Sequence, residues 1–248
     1  MIIYGRNPVK ELLSQPDSGI EEILILKDGG KEGSSEIFNL AKERGIRVVF
    51  LPKDAISRIS GTTSHQGVAA RIADFEYSSL ENILSLAENS GERPLIVLLD
   101  HIEDPQNLGA IIRTVDVLGA HGVVIPKDRA ASVTPAVVKA SAGAVNHVLI
   151  ARVVNLSAII GVLKKKGVWI VGADPQAPEP VYGEDLGKVD IGLVIGSEGR
   201  GLGQKIKEQC DFLVTIPQAG KVASLNASVS AGILIYEIMR QRGNLKSL

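Results

Sequence analysis

Cysteine is nearly absent: Cys210 stands alone in 248 residues. A single thiol excludes an internal disulfide framework, a cysteine-built zinc cluster and a CxxC redox pair. Aromatic side chains are also scarce, with four Phe, four Tyr and one Trp making 4% of the chain. That number argues against a stacking platform for single-stranded nucleic acid, which needs several exposed rings. Net charge is close to zero, with 27 Lys and Arg against 28 Asp and Glu. A chain so balanced does not coat nucleic acid by bulk electrostatics, so an RNA or DNA partner must be held by local features. The histidines, His65, His101, His121 and His147, are scattered and form no HExxH or i, i+4 pair, so no metal is expected. No apolar run reaches the ~18 residues of a membrane span. The opening MIIYGRNPVKELL lacks the apolar core of a signal peptide. A soluble, cytoplasmic protein is the expectation.

What is present begins with glycine, 26 of 248 residues, above the ~7% average. Hydrophobic residues make 45% of the chain, enough for one or two domains with a buried core. Strand and helix patterns alternate. In the first part, residues 8–13, 34–44 and 55–59 have helical spacing, and 20–26, 46–50 and 66–72 read as strands. These make a small α/β domain over residues 1–76. Residues 77–93 are polar with a helix-like middle and read as a linker. The second domain, 94–248, opens on the uninterrupted apolar run LIVLL at 95–99. Such runs suit strands buried on both faces of a parallel sheet. Further strands are expected at 122–125, 148–151, 168–171, 192–195 and 212–216, with helices at 108–118, 134–142, 156–165 and 202–209. The alternation predicts a mostly parallel sheet covered by helices on both faces. The last helix, 224–240, carries apolar residues on nearly every face. One face is assigned to the sheet, and the other motivates a homodimer through this C-terminal helix.

Three segments could carry chemistry, each directly after a strand. In 100–114 (DHIEDPQNLGAIIRT), Asn107 is the expected helix N-cap, Gly109 would let a ligand approach, and Arg113 lies six residues beyond Asn107, nearly two helical turns on, so both are expected to face one direction. An ordinary strand-to-helix turn with a surface arginine would look the same. In 196–203 (GSEGRGLG), four glycines leave backbone N–H groups open. The spacing is neither GxGxxG nor a P-loop. Glu198 would repel a phosphate and suits a cation or a ligand's donor groups. In 216–230 (IPQAGKVASLNASVS), Ser224 is the expected N-cap, and Asn226 and Ser228 could be simple turn residues.

Taken together, Asn107, Gly109 and Arg113, then IGSEGRGL from Ile195, then IP…SLNASVS from Ile216 resemble the three motifs of the SpoU/TrmH family of RNA ribose methyltransferases, in the SPOUT superfamily. They occur in order across residues 95–248. Gly5, Arg6, Asn7, Pro8 and Val9, with Ser64, His65, Gln66 and Gly67, resemble the opening and closing of that family's substrate-binding domain. The layout and length are most similar to the branch that methylates a guanosine of 23S ribosomal RNA; a transfer RNA is the alternative target. The resemblance implies a C-terminal trefoil knot and S-adenosyl-L-methionine as cofactor, held by backbone at Gly196, Ile216 and Leu225 with Gly201 nearby. It implies catalysis by Arg113 with Asn107, Glu198, Ser224 and Asn226. Arg113 would act as a base or as a clamp on phosphate and hydroxyl, and arginine is a poor base because it holds its proton so tightly. Arg6 and His65 are candidates for RNA contact in the first domain, beside Arg58 and Arg71, although His65 could equally be a satisfied structural histidine. Lys139, Arg200, Lys205 and Lys221 are candidates near the motifs, and the bland reading for most of these cations is a solvated surface. Two other readings remain: a dinucleotide-binding oxidoreductase, disfavoured by the glycine spacing, and a non-catalytic RNA-binding protein.

Overall fold

The computed structural model describes residues 1–14, 19–27, 31–221, 224–243 and 245 of the chain, with 31–33 described for backbone alone. It divides into two compact units, Met1–Glu76 and Tyr77–Leu248.

The first unit runs β1 (Ile2–Tyr4), α1 (Arg6–Leu13), β2 (Ile20–Leu26), α2 (Lys31–Glu43), β3 (Arg47–Leu51), α3 (Lys53–Ser60) and β4 (Val68–Ile72). Its sheet has the order β1-β4-β2-β3, with only β2 and β3 parallel. Side chains alternate across a strand, and β2 shows the consequence. Ile23 and Ile25 join Val9, Leu12 and Ile37 beneath α1 and α2, while Leu24 packs with Ile56 of α3. The three-residue β1 is too short to leave a pattern, and the sequence reading passes over it.

The second unit continues with α4 (Leu80–Ser90), β5 (Leu95–Asp100), α5 (Pro105–Leu118), β6 (Gly122–Pro126), α6 (Pro135–Ala140), β7 (Ile150–Val153) and α7 (Leu156–Lys165). There follow β8 (Trp169–Ala173), β9 (Glu179–Pro180), β10 (Ile191–Gly196), α8 (Gln204–Lys207), β11 (Phe212–Thr215) and α9 (Ala227–Arg242). The sheet order is β7-β6-β5-β10-β8-β11-β9, and every pairing is parallel. The apolar run of β5 is buried throughout and lies centrally, registered against β10 from Ile191↔Leu95 to Gly196↔Asp100. The expected α/β architecture with a parallel sheet is therefore present.

Residues 77–93, read as a linker, are structured as part of the second unit. Ser78 bridges to Ala151. Leu80, Ile83 and Leu84 of α4 bury into the core with Ile96, Val124 and Ile160, and Ala87 is buried on the same helix. Their i, i+3, i+4, i+7 spacing is an apolar stripe that the intervening polar residues obscure. Two N-caps also differ from expectation. Asp104, not Asn107, caps α5, its Oδ1 accepting from Gln106 N at 2.9 Å with Pro105 at the first helical position. Asn226, not Ser224, caps α9, its Oδ1 accepting from Ser228 N at 2.9 Å and Val229 N at 3.2 Å.

Candidate active site

From the centre of the sheet, β5 leads through α5 outward to β6, while its other neighbour β10 leads outward to β11. This reversal is where ligands settle in open α/β sheets, outside the carboxyl ends of the strands. The loops after β5, β10 and β11 are the three chemistry-bearing segments.

Asp100 closes β5 and is buried, only 3% exposed. Its Oδ2 accepts from Gly203 N at 2.7 Å, and its Oδ1 from His101 Nδ1 at 2.6 Å. One carboxylate thus ties the glycine loop after β10 to the loop after β5. Within the glycine loop, Gly201 N donates to Ser197 O at 2.9 Å. Gly196 must be glycine, because a Cβ there would collide with the backbone of Gly201.

Around this frame three polar side chains from separate loops converge. Asn107 Nδ2 donates to Glu198 Oε1 at 2.9 Å. Asn226 Nδ2 donates to Asn107 Oδ1 at 2.9 Å and also to Glu198 Oε1. Ala227 N adds a longer bond to the same carboxylate oxygen at 3.3 Å. Because Asn226 Oδ1 caps α9, its amide is fixed at both ends, so the turn role and the site role coincide in one residue.

Arg113 stands apart from this network. Six residues at ~100° each place it about a third of a turn from Asn107, so the two do not share one direction. Its side chain is exposed, and no hydrogen bond or ion pair holds the guanidinium among the described residues. Gly109, expected to admit a ligand, is buried and serves packing: a Cβ there would strike Ala140 of α6.

Gly196, Gly201, Ile216 and Leu225 line one cleft, together with Glu198 and Ser224. Its lining includes the apolar Ile195, Val214 and Leu234 and the polar Asp174, Gln218 and Ser230. Asp174 directly follows β8. Burial would raise its carboxyl, but the ion pair with Lys207 and the Gln176 N–H outweigh that and hold it below its usual value. Apolar walls, backbone groups at three strand ends and two carboxylates form a donor and acceptor set that fits an adenine ring joined to a cationic side chain. Beside Glu198 lies a second, polar depression lined by His101, Ile102, Glu103, Asp104, Asn107 and Arg200, with Ser197 and Glu198 common to both. Asp100, His101 and Asp174 escaped the sequence reading, although an acid ending a wholly apolar strand was a readable signal at Asp100.

In the first unit, Arg6 opens α1 with its side chain exposed, and its N–H donates to Gln66 Oε1 at 3.0 Å. His65 does not fit an RNA-contacting role. It is 1% exposed, its Nδ1 accepts from Gly67 N at 3.0 Å, and its Nε2 pairs with Ser57 Oγ at 3.0 Å. Both ring nitrogens are spent on holding the turn before β4.

Residues 94–236 match the SpoU rRNA methylase family. The chain belongs to that family. Residues 2–78 match the substrate-binding domain of RNA 2'-O ribose methyltransferases. A Bacillus subtilis protein, YacO, named for the TrmH family of tRNA/rRNA methyltransferases, is 44% identical over 97% of this chain and 95% of its own length. The SpoU methyltransferase AviRb of Streptomyces viridochromogenes, solved with AdoMet, superposes with a TM-score of 0.64 at 25% identity, covering 98% of this chain and 90% of that one. An AdoMet-bound rRNA methyltransferase from Sinorhizobium meliloti gives 0.61 at 26% identity, covering 96% and 86%. This SpoU chain is a methyltransferase with S-adenosylmethionine as cofactor. Among its described residues no helix is long and apolar enough to cross a membrane.

Proposed function

We propose that the protein methylates a ribose 2'-hydroxyl in RNA, with a guanosine of 23S ribosomal RNA as target and a transfer RNA as the alternative. The observation that carries this reading is the Asn107–Glu198–Asn226 network at the rim of the cleft. It places a carboxylate and two amides, drawn from three loops, beside a site suited to the cofactor. The cofactor supplies an electrophilic methyl group. Gly196, Gly201, Ile216 and Leu225 hold its nucleoside through backbone and apolar contact, and Ser224 lies along the same wall.

A ribose hydroxyl is a weak nucleophile at neutral pH, so it must be oriented and relieved of its proton. Glu198 Oε1 is committed to the two amides, which leaves Oε2 as the acceptor at the rim for that proton. Arg113, exposed and unpartnered among the described residues, clamps the phosphate next to the reacting ribose. Such positioning contributes up to ~7–11 kcal/mol to a reaction of this kind. Arg6 extends the RNA contact in the first unit. Val229, Ile233 and Tyr236 of α9 are exposed apolar side chains, and we assign them to a homodimer interface. The C-terminal knot and a cytoplasmic location complete the reading.

The test is transfer of labelled methyl to separate ribosomal and transfer RNAs from a strain lacking the gene, followed by mapping of the modified nucleotide. Arg113→Lys is expected to keep part of the activity and Arg113→Ala almost none. Full transfer by Arg113→Ala would refute the assignment, and a monomeric mass by light scattering at micromolar concentration would refute the dimer.

A further inference from the structure

We infer that the loop after β6 and the end of β7 form a phosphate track that guides the RNA backbone away from the active site; this rests on RNA being the substrate. From residue 129 to residue 173 the chain contains no Asp or Glu. In a protein with a formal net charge of -1, this is a concentrated departure from balance. Lys164, Lys165 and Lys166 belong to the far end of α7, and Lys164 is paired with Asp211. Lys127 and Arg129 follow the carboxyl end of β6 and Arg152 lies near the carboxyl end of β7, on the edge that carries the site, and Asp128 is the single anion in the sequence from 127 to 152.

Hydrogen bonds connect this edge to the site. Arg152 registers beside Ile125, and its Nη2 donates to Lys127 O at 3.1 Å. Its guanidinium lies 5.4 Å from the centre of the Tyr77 ring, a cation–π arrangement. Tyr77 Oη accepts from Val133 N at 2.9 Å, and Ala131 N donates to Ile102 O at 2.8 Å. Ile102 borders the polar depression that holds Asn107 and Glu198. The loop is thus pinned at both sides, with Lys127 and Arg129 exposed between the pins. Arg129 is held at φ 53°, a conformation non-glycine residues seldom adopt.

The ligand chemistry is a repeating phosphodiester. Glu103, Asp104 and Glu198 make the depression itself unfavourable for phosphate, so the reacting ribose sits there while the flanking phosphates run along the cations. This resolves how a neutral chain holds a polyanion: the cations are few and grouped, not numerous.

The test is RNA binding as a function of salt by the full chain, with ribosomal RNA from the strain lacking the gene, beside methyl-transfer kinetics and cofactor titration. Lys127→Ala with Arg129→Ala is expected to reduce the slope of log affinity against log salt by about 1.5, since each phosphate contact contributes ~0.7–0.9. The KM for RNA should rise about tenfold with kcat and cofactor affinity unchanged, and Arg129→Lys should restore most of its share. An unchanged slope and KM in the double variant would overturn the track. A wild-type protein that methylates no RNA would instead refute the proposed function, while the salt slopes would still judge the track.

Discussion

Replacing Asn226 by Asp changes one amide for a carboxylate and separates the two duties this residue performs. The cap survives, because the introduced carboxylate accepts from Ser228 N and Val229 N as the amide oxygen does. A charge at a helix N-terminus is worth ~0.3–1 kcal/mol in favour of the variant. The site does not survive. The donor to Asn107 Oδ1 and Glu198 Oε1 disappears, and a second negative charge meets the Glu198 carboxylate. At ~4 Å the repulsion lies between about 1 kcal/mol in water and about 4 kcal/mol near a protein surface, and Glu198 is exposed, which favours the lower half. Asn226→Ser is the reference, since it keeps a capping oxygen and loses the donor without adding charge. Asn226→Asp should therefore be about 0.5–2 kcal/mol less stable than Asn226→Ser at pH 7.5 by urea denaturation. The introduced carboxyl is raised by its neighbour, so the folded state takes up its proton first. The deficit is present at neutral pH and closes as pH falls toward 4. Both variants should lose methyl transfer by at least ~100-fold, the scale of misplacing a reacting group by about 1 Å. Equal stability of the two at pH 7.5, or wild-type transfer by Asn226→Asp, would refute the network.

Two further outcomes concern stability alone. Gly109→Ala should destabilise by up to ~2 kcal/mol on thermal or urea melting, because overpacking at ~1–3 kcal/mol is offset by only ~1 kcal/mol gained in helix propensity. The neighbours in the way are the Ala140 Cβ, which is the nearest, and the Ala140 backbone carbon and Ser141 N, both 3.0 Å from the added Cβ, and none of them is the end of a flexible side chain. His121 is buried and its Nδ1 accepts from Leu95 N at 3.1 Å. Burial, which outweighs the attraction of Glu92, pushes its protonation below the usual histidine value. Its folded value being depressed, it contributes stability above pH ~6.5 that is lost as pH falls below that. His121→Asn, which keeps an acceptor for Leu95 N, should flatten the stability curve between pH 7 and pH 5, and an unchanged curve would exclude His121 as its source.

The parallel sheet was readable because β5, β6 and β10 are continuous apolar runs, and the three site loops follow directly from strand ends. What resisted reading has physical causes. In α4 the apolar stripe is interrupted by Glu81, Asn82 and Ser85, so composition hides packing. The N-caps were displaced because several capping residues stand close together, and only hydrogen-bond geometry selects Asp104 and Asn226. Asn107 and Asn226 are 119 residues apart, a distance over which no local pattern speaks. At His65 the sequence leaves RNA contact and a structural role open, and only its burial and its two hydrogen-bond partners select the structural one.

Ser197 and Glu198 belong to the wall of the cleft proposed for the cofactor and to the wall of the polar depression at once. A partition shared by two compartments makes them one thermodynamic unit. An occupant that turns Glu198 to its own advantage changes the affinity of the other compartment, and reciprocity requires the same factor in both directions. Under the proposed function, order of loading becomes a property of the partition: S-adenosylmethionine in one compartment and RNA in the other would each report on its neighbour, even though neither needs to touch the other's walls elsewhere.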